Sequence, residues 1–443
     1  MRILLDCRPL INDPRGGDRD HIIISCVNAL ADQQGVEWLI LVDRSWRESM
    51  LPGISRHRLL VRSAFPGNAG WRIWYDWQIP GIAKKYKPDL LMTTGGLSTA
   101  YTDKPQCVWM PGMADPAKWT GKKGYAGIYR KRMARTLREA GAIFSFSEKD
   151  KDFLERSQGR GHMEALDKIV VVNGAPDSRY GQMPAEEREG LKSGYALGKE
   201  YFLVIVTDTR PAGLVDLLKA FSGFKKRQRS NMQLVLARTG PGGGIVFPDR
   251  KLDTYKYRPD VHIYDDFPEQ ELHRLVAASY AFVAPFGGEG PGLSILNAWK
   301  AGVPVITTVA ACLPEMAGDT VLYALPEDPV SLAGQLMLLF KDEGVRSGLI
   351  GKGLSRVRQL SWEISAARVS AGPSRRACGR RSRRQRGSRS SPPCTRPVAV
   401  SSPSSGIWAA SCIRISSAGP KVSRPRRPRR REKSVPMRAR SPM

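Results

Sequence analysis

Short apolar runs bounded by turn residues alternate along this chain with amphipathic stretches, and at Tyr201 the alternation begins again. That rhythm is the signature of βαβ units, in which parallel strands are buried between layers of helix. In the first half, strands are expected at Arg2–Asp6, Trp38–Val42, Leu59–Val61, Leu90–Met92, Cys107–Met110, Ala142–Phe146 and Ile169–Val172. Helices are expected between them at Ile22–Gln33, Trp74–Lys85, Gly127–Ala140 and Lys149–Arg156. The second half repeats the order, with strands at Phe202–Val206, Gln233–Ala237, Val261–Tyr264, Ala281–Ala284 and Val305–Thr307. Its helices are expected at Leu214–Lys226, Glu269–Ala278, Ser294–Ala301, Pro329–Phe340 and Glu343–Leu360.

Two doubly wound α/β domains joined near residues 175–200 account for this order. The expected division is an N-terminal Rossmann-like domain over 1–190, a C-terminal Rossmann-like domain over 191–369, and a tail over 370–443. In such pairs a ligand sits in the cleft between domains, off the carboxyl ends of the strands.

Charge separates the tail from the body. The chain of 443 residues has a formal net charge of +28, yet 20 of its 70 Lys and Arg lie from Ser370 onward, against one acidic residue, Glu432. The remaining 50 basic and 41 acidic groups make a mildly basic body. From Ser370 the composition is dominated by Arg, Ser and Pro, with no Leu, Phe or Tyr, too little apolar bulk to offset the entropy of ordering. Two readings of that segment stand: an Arg-rich disordered arm for nucleic acid, or GC-rich coding DNA read out of frame. The second sets nucleic acid aside as a partner.

Cys7, Cys26, Cys107 and Cys312 are widely spaced in the body, without a CxxC pair or a His at ligand spacing, so neither a metal site nor a disulfide framework is indicated. The N-terminal MRILLDCRPLIND lacks the apolar core of a signal peptide, and no uncharged apolar run approaches the length of a membrane span. These features point to a soluble cytoplasmic body with reduced thiols.

The chemistry concentrates in FGGEGPGLSILNAWKAGVPV, residues 286–305. A strand ends just before it and a helix begins within it. The amides of Gly292, Leu293 and Ser294 then point outward from a helix N-terminus, where the dipole favours an anion. Glycines there let a ligand approach the backbone. Glu289 beside a bare phosphate would be repelled, but it suits a ligand that also carries hydroxyls, as a nucleotide sugar does. The bland alternative is a glycine-rich turn with a solvated glutamate.

That stretch, followed by LPEMAGD at 313–319, LPEDPVSLAGQL at 325–336 and SWEISAARV, resembles the C-terminal domain of retaining glycosyltransferases of the GT-B fold, in the large group 1, family 4-like family with an E-x7-E motif. The likeness continues through YFLVIVTDTRPAGLVDLLKAF, IFSFSEKDKDFL, IVVVNGAPDSRY, WYDWQIP and RGGDRD, covering about 365 residues. It implies a GT-B fold and transfer of a sugar from a nucleotide-sugar donor to a glycan or lipid-linked acceptor with retention of configuration, in cell-surface polysaccharide or glycolipid synthesis. It also implies a protein at, or peripheral to, the inner face of a membrane. Glu289 would hold the sugar hydroxyls. The Gly290–Ser294 turn, including Pro291 with no N–H of its own, would meet sugar and diphosphate, and Gly16 and Gly17 would approach the phosphates from the other domain. No cofactor is called for, the nucleotide sugar being the substrate, and without a DxD-like carboxylate pair no metal is implied.

Three departures accompany the likeness. Asn297 replaces the second Glu of E-x7-E, which in the family binds the ribose; it keeps hydrogen-bonding capacity without charge. Val206, Thr207 and Ala212 fall where the family has a Gly and then the Arg and Lys that clamp the diphosphate. Arg210, between them, is the candidate substitute. VWMPGMADPAKW lacks the family's His, and Asp115 is its nearest carboxylate. The competing reading is therefore a GT-B protein that binds a nucleotide sugar, or a partner glycosyltransferase, with weak or no catalysis. Elsewhere, KKRQR at 225–229 reads as a solvated helix end, or as a contact for acidic headgroups. Trp71, Trp74 and Trp77 read as a helical core stripe, or as an acceptor platform.

Overall fold

The computed structural model describes residues 1–11, 17–31, 35–53, 56–110, 125–157, 168–206, 211–239, 245, 252–285, 290–310 and 312–372. Arg2–Asp6 (β1), Glu37–Asp43 (β2), Arg58–Arg62 (β3), Leu90–Thr93 (β4), Gln106–Trp109 (β5), Ala142–Ser145 (β6) and Ile169–Val171 (β7) form one parallel sheet in the order β3-β2-β1-β4-β5-β6-β7. A second parallel sheet contains Tyr201–Ile205 (β8), Gln233–Ala237 (β9), Val261–Tyr264 (β10), Ala281–Ala284 (β11), Val305–Thr308 (β12) and Leu322–Ala324 (β13), in the order β10-β9-β8-β11-β12-β13. Both orders reverse direction beside their first strand, so each sheet has a switch point, at β1/β4 and at β8/β11. Ligands of doubly wound sheets bind at such points.

Among the described residues the helices are Arg8–Ile11 (α1), Asp18–Ala31 (α2), Gly67–Ile73 (α3), Ile79–Tyr86 (α4), Tyr125–Glu139 (α5), Glu148–Ser157 (α6), Ala185–Ala196 (α7), Pro211–Gln228 (α8), Leu272–Ala277 (α9), Leu293–Lys300 (α10), Leu313–Ala317 (α11), Pro329–Lys341 (α12), Glu343–Val357 (α13) and Trp362–Ala371 (α14). The strand runs of the sequence coincide with β1–β12 to within a residue at each end, because most are buried parallel strands with apolar side chains on both faces, while the edge strands β3 and β10 are only partly buried.

Several local features differ from the sequence reading. The 175–200 join contains α7, whose AEEREGLKSGYA sequence buries only Lys192 and Ala196 and so carries a faint helical pattern. The helix expected at Trp74–Lys85 begins earlier and is interrupted by a π turn at Trp74–Gln78. One wide turn shifts the phase of the tryptophans. Trp74 is buried and Trp71 half-buried, while Trp77 is 78% exposed, so the three do not form one core stripe. Nor is KKRQR wholly solvated, since Lys225 is 6% exposed. Its ammonium donates to the carbonyls of Ser230 and Met232 at 2.6 and 3.1 Å and pairs with Asp260 at 2.9 Å. It thereby ties the last turn of α8 to the connection that leads into β9.

The apolar core is continuous from one domain to the other. Ile22, Phe144, Phe146 and Val172 of the first domain belong to the same buried cluster as Leu293, Leu296 and Trp299 of the second. α14 then returns to the first domain and packs on α2. Val369 and Ala366 are buried there, His21 lies 5.8 Å from the Trp362 ring, and Ser365 Oγ donates to the Asn173 carbonyl at 2.7 Å. This docking fixes the carboxyl ends of the two sheets opposite one another.

Candidate functional site

The turn after β11 leads directly into α10 at the switch point of the second sheet. Gly292, the residue that caps α10, has φ +81°, a left-handed conformation that glycine adopts without steric cost. A Cβ at this position would lie 2.6 Å from Met316 Cε and 3.0 Å from Leu313 Cδ2, so the turn is also tightly covered. Behind it, Cys312 Sγ lies 3.6 Å from the Gly290 carbonyl oxygen.

An anion already sits on the helix terminus. Gly292 N–H and Leu293 N–H both donate to Asp18 Oδ2, at 2.9 and 2.8 Å. Asp18 is the first residue of α2, directly after Gly17 at the other domain's switch point. Burial pushes its carboxyl above the ordinary range, and the two amides, with His21 and Arg19 nearby, pull it partly back. A Cβ on Gly290 would meet Asp18 Oδ2 at 3.0 Å, so glycine there lets the carboxylate approach without shifting.

A second carboxylate makes the converse contact. Glu315 in α11 accepts from the backbone N–H of Glu148 at 2.7 Å and of Lys149 at 3.1 Å, at the N-terminus of α6 in the first domain. Between the domains on this side is a cavity of about 280 Å³, lined among others by Ser147, Asn173, Pro291, Met316, Arg356 and Arg368. Arg368 donates to the Asn173 side chain, and Arg356 to the Met316 carbonyl at 3.5 Å. A larger depression, about 530 Å³, is formed by Met1, Glu37, Lys87 and Asp89 at the amino ends of the first sheet. That end is remote from both switch points, so the smaller interdomain cavity is the one consistent with ligand binding by this fold.

The turn that holds Gly290, Pro291, Gly292 and Leu293 thus meets Asp18, the residue after Gly17, across the cleft, and Ser294 follows in the first turn of α10. Asn297, one turn on, makes a different contact. Its Oδ1 accepts from Asp177 N–H at 2.9 Å, and Lys300 Nζ donates to the Asp177 carbonyl at 2.9 Å, so this face of α10 holds the chain where it crosses between domains. Glu289, Arg210 and Gly16 lie outside the described residues, as do Thr207 and Asp115. Asp18 and Glu315 are the polar contacts that the sequence reading missed. Both lie within RGGDRD and LPEMAGD, but contacts between residues 274 and 167 apart leave no local pattern.

Residues 187–355 match the family of glycosyl transferases group 1. The chain is 38% identical over 202 residues to O-antigen chain mannosyltransferase B of Escherichia coli, a match covering 44% of this chain and 52% of that protein. It is 22% identical over 253 residues to the serotype-specific mannosyltransferase WbdA of Escherichia coli, covering 56% of this chain and 30% of the relative. The chain therefore spans about half, or less, of the curated relatives it matches. Among solved structures, Anabaena Alr3699/HepE in complex with UDP superposes with a TM-score of 0.62 at 12% identity, over 83% of this chain and 98% of that one. WaaG, a glycosyltransferase involved in lipopolysaccharide biosynthesis, superposes with a TM-score of 0.60 at 14% identity, over 84% and 99%. The two parallel-sheet domains facing across a cleft are the GT-B fold.

Proposed function

We propose that the protein is a glycosyltransferase that moves a sugar from a nucleotide-sugar donor to a growing cell-surface polysaccharide or glycolipid, with retention of configuration. The observation that carries the reading is the pair of amides, Gly292 and Leu293, converging on a single anionic oxygen at the switch point beside the interdomain cavity. A donor phosphate offers the same kind of oxygen. The relatives' names favour mannose as the sugar and a surface polysaccharide such as O-antigen as the product.

In this reading the Gly290–Ser294 turn receives the sugar and its diphosphate, and Glu289 holds the sugar hydroxyls. Charge grows on the diphosphate as the glycosidic bond breaks. The two amides and the dipole of α10 face that charge, and Arg210 supplies the cation that the family's Arg and Lys would otherwise provide. The acceptor hydroxyl attacks on the face the diphosphate leaves, which conserves the anomeric configuration. Gly17 borders the phosphates from the first domain. Asn297 helps through position, because its bond to Asp177 sets α10 against the crossover. The protein works from the cytoplasm, against the inner face of the membrane, where a lipid-linked acceptor would be presented.

One observation favours a second reading, donor binding with little turnover: a carboxylate of the chain itself occupies the amides a phosphate needs. Incubating the full chain with nucleotide-linked mannose and following released nucleoside diphosphate separates the two. Turnover that disappears in Glu289→Ala supports the transferase. Tight donor binding by wild type without turnover rejects it in favour of the binding protein.

A further inference from the structure

Asp18 and Glu315 make the same contact in opposite directions. The first domain supplies a carboxylate to the N-terminus of α10 in the second, and the second supplies one to the N-terminus of α6 in the first. At a helix N-terminus the first N–H groups have no helical partner and the dipole is positive, so each carboxylate satisfies two donors that would otherwise turn to water. Glu315 takes its two amides with separate oxygens, whereas Asp18 takes both with one.

The packing between these contacts leaves little slack. A Cβ on Gly174 of the first domain would lie 2.5 Å from Leu293 Cδ2 and 3.1 Å from Ile22 Cδ1, so Leu293, one of the two residues whose amides donate to Asp18, is pressed against the first domain. Gly290 is crowded in turn by Asp18 itself. A hinge motion that opened the cleft would break both carboxylate contacts, since each joins one domain to the other.

We propose that Asp18 and Glu315 form a reciprocal clasp between the two domains, and that a donor phosphate competes with Asp18 for the amides of Gly292 and Leu293. The competing half of the proposal rests on the donor-binding reading above; the clasp itself does not. Two anions cannot share those amides without strong repulsion, so phosphate binding and the Asp18 contact exclude each other. When phosphate takes the seat, Asp18 withdraws with the start of α2, and Glu315 alone continues to hold α6. Donor entry is thereby coupled to a shift between the domains at the Asp18 contact.

The test uses the full chain with Asp18→Ala, Glu315→Ala and the double substitution, each checked for folding by circular dichroism. Asp18→Asn, which keeps an acceptor but removes the charge, serves if the alanine variant folds poorly. Small-angle scattering reports domain separation, and calorimetry reports binding of inorganic pyrophosphate. The double variant should be more extended than wild type, and Asp18→Ala should bind pyrophosphate about tenfold tighter or more, with Asp18→Asn intermediate. Unchanged scattering in the double variant overturns the clasp, and unchanged pyrophosphate affinity in Asp18→Ala overturns the competition. An extended double variant with no pyrophosphate binding by any of the proteins keeps the clasp and rejects both the competition and the donor reading of the turn.

Discussion

The indole N–H of Trp74 donates to Asp6 Oδ1 at 3.0 Å, joining a π turn to the carboxyl end of β1 in a buried setting. Burial raises the Asp6 carboxyl from 3.8 to about 6, and the bonds from Trp74 and from the Arg8 backbone, with the Arg8 charge and the Tyr75 side chain, only partly oppose it. Arg8 itself lies over the Trp71 and Trp74 rings, at 5.0 and 4.8 Å, and pairs with Asp43 at 3.6 Å.

Because the folded state holds the Asp6 proton more tightly than the unfolded chain does, its contribution to stability is full below 3.8 and is lost as pH rises through about 6. The shift corresponds to roughly 3 kcal/mol. Asp6→Asn removes this titration while keeping an acceptor for Trp74. The stability of wild type minus that of the variant should fall by up to that amount between pH 4 and pH 7, measured by urea unfolding. A difference that stays flat, or rises, contradicts the assignment.

Gly292→Ala should weaken the fold and the site together. Alanine at φ +81° costs about 1–3 kcal/mol in backbone strain, and its Cβ must displace Met316 or Leu313. The urea midpoint should drop accordingly, and pyrophosphate binding should weaken as the amide pair is turned away. Gly334→Ala, in the open face of α12, has no neighbour within 4 Å of the new Cβ and should be neutral or mildly stabilising.

Lys225→Ala should cost about 3 kcal/mol, the low end for breaking a buried pair, since Asp260 keeps some contact with water. The alanine also leaves the Ser230 and Met232 carbonyls without their donor. Lys226→Ala, on the exposed side of the same helix end, should change stability by no more than about 0.5 kcal/mol. Equal effects from the two would show that Lys225 is solvated after all.

Val369→Asp places a carboxylate in the α14–α2 contact, where Val369 is fully buried, and should destabilise by roughly 3 kcal/mol or more. Cutting the chain after Gly372, beyond the end of α14, should leave the melting temperature unchanged. Differential scanning fluorimetry compares the two, and a large loss on truncation would assign structural weight to residues 373–443.

The fold was legible because parallel strands buried on both faces read as apolar runs whatever packs on them. β13, only Leu322–Ala324, was missed because three residues are too few to set against a turn. α7 was missed because a polar helix that covers a crossover shows little periodicity. At the site, the glycine turn could be found from its composition, as its conformation is a local property. Lys225 and Asp18 could not be read in the same way. One depends on where a helix end meets a distant Asp260, the other on how two domains dock.

The return of α14 to α2 has a consequence for synthesis. The face of α2 that buries Ile22, Cys26 and Val27 is made within the first tenth of the chain, yet the helix that covers part of it is not translated until residue 371. During that interval the first domain presents a sticky surface to the crowded interior near the ribosome. Nascent chains of this protein should therefore engage chaperones for longer than their first domain alone would require, and be released only when α14 arrives.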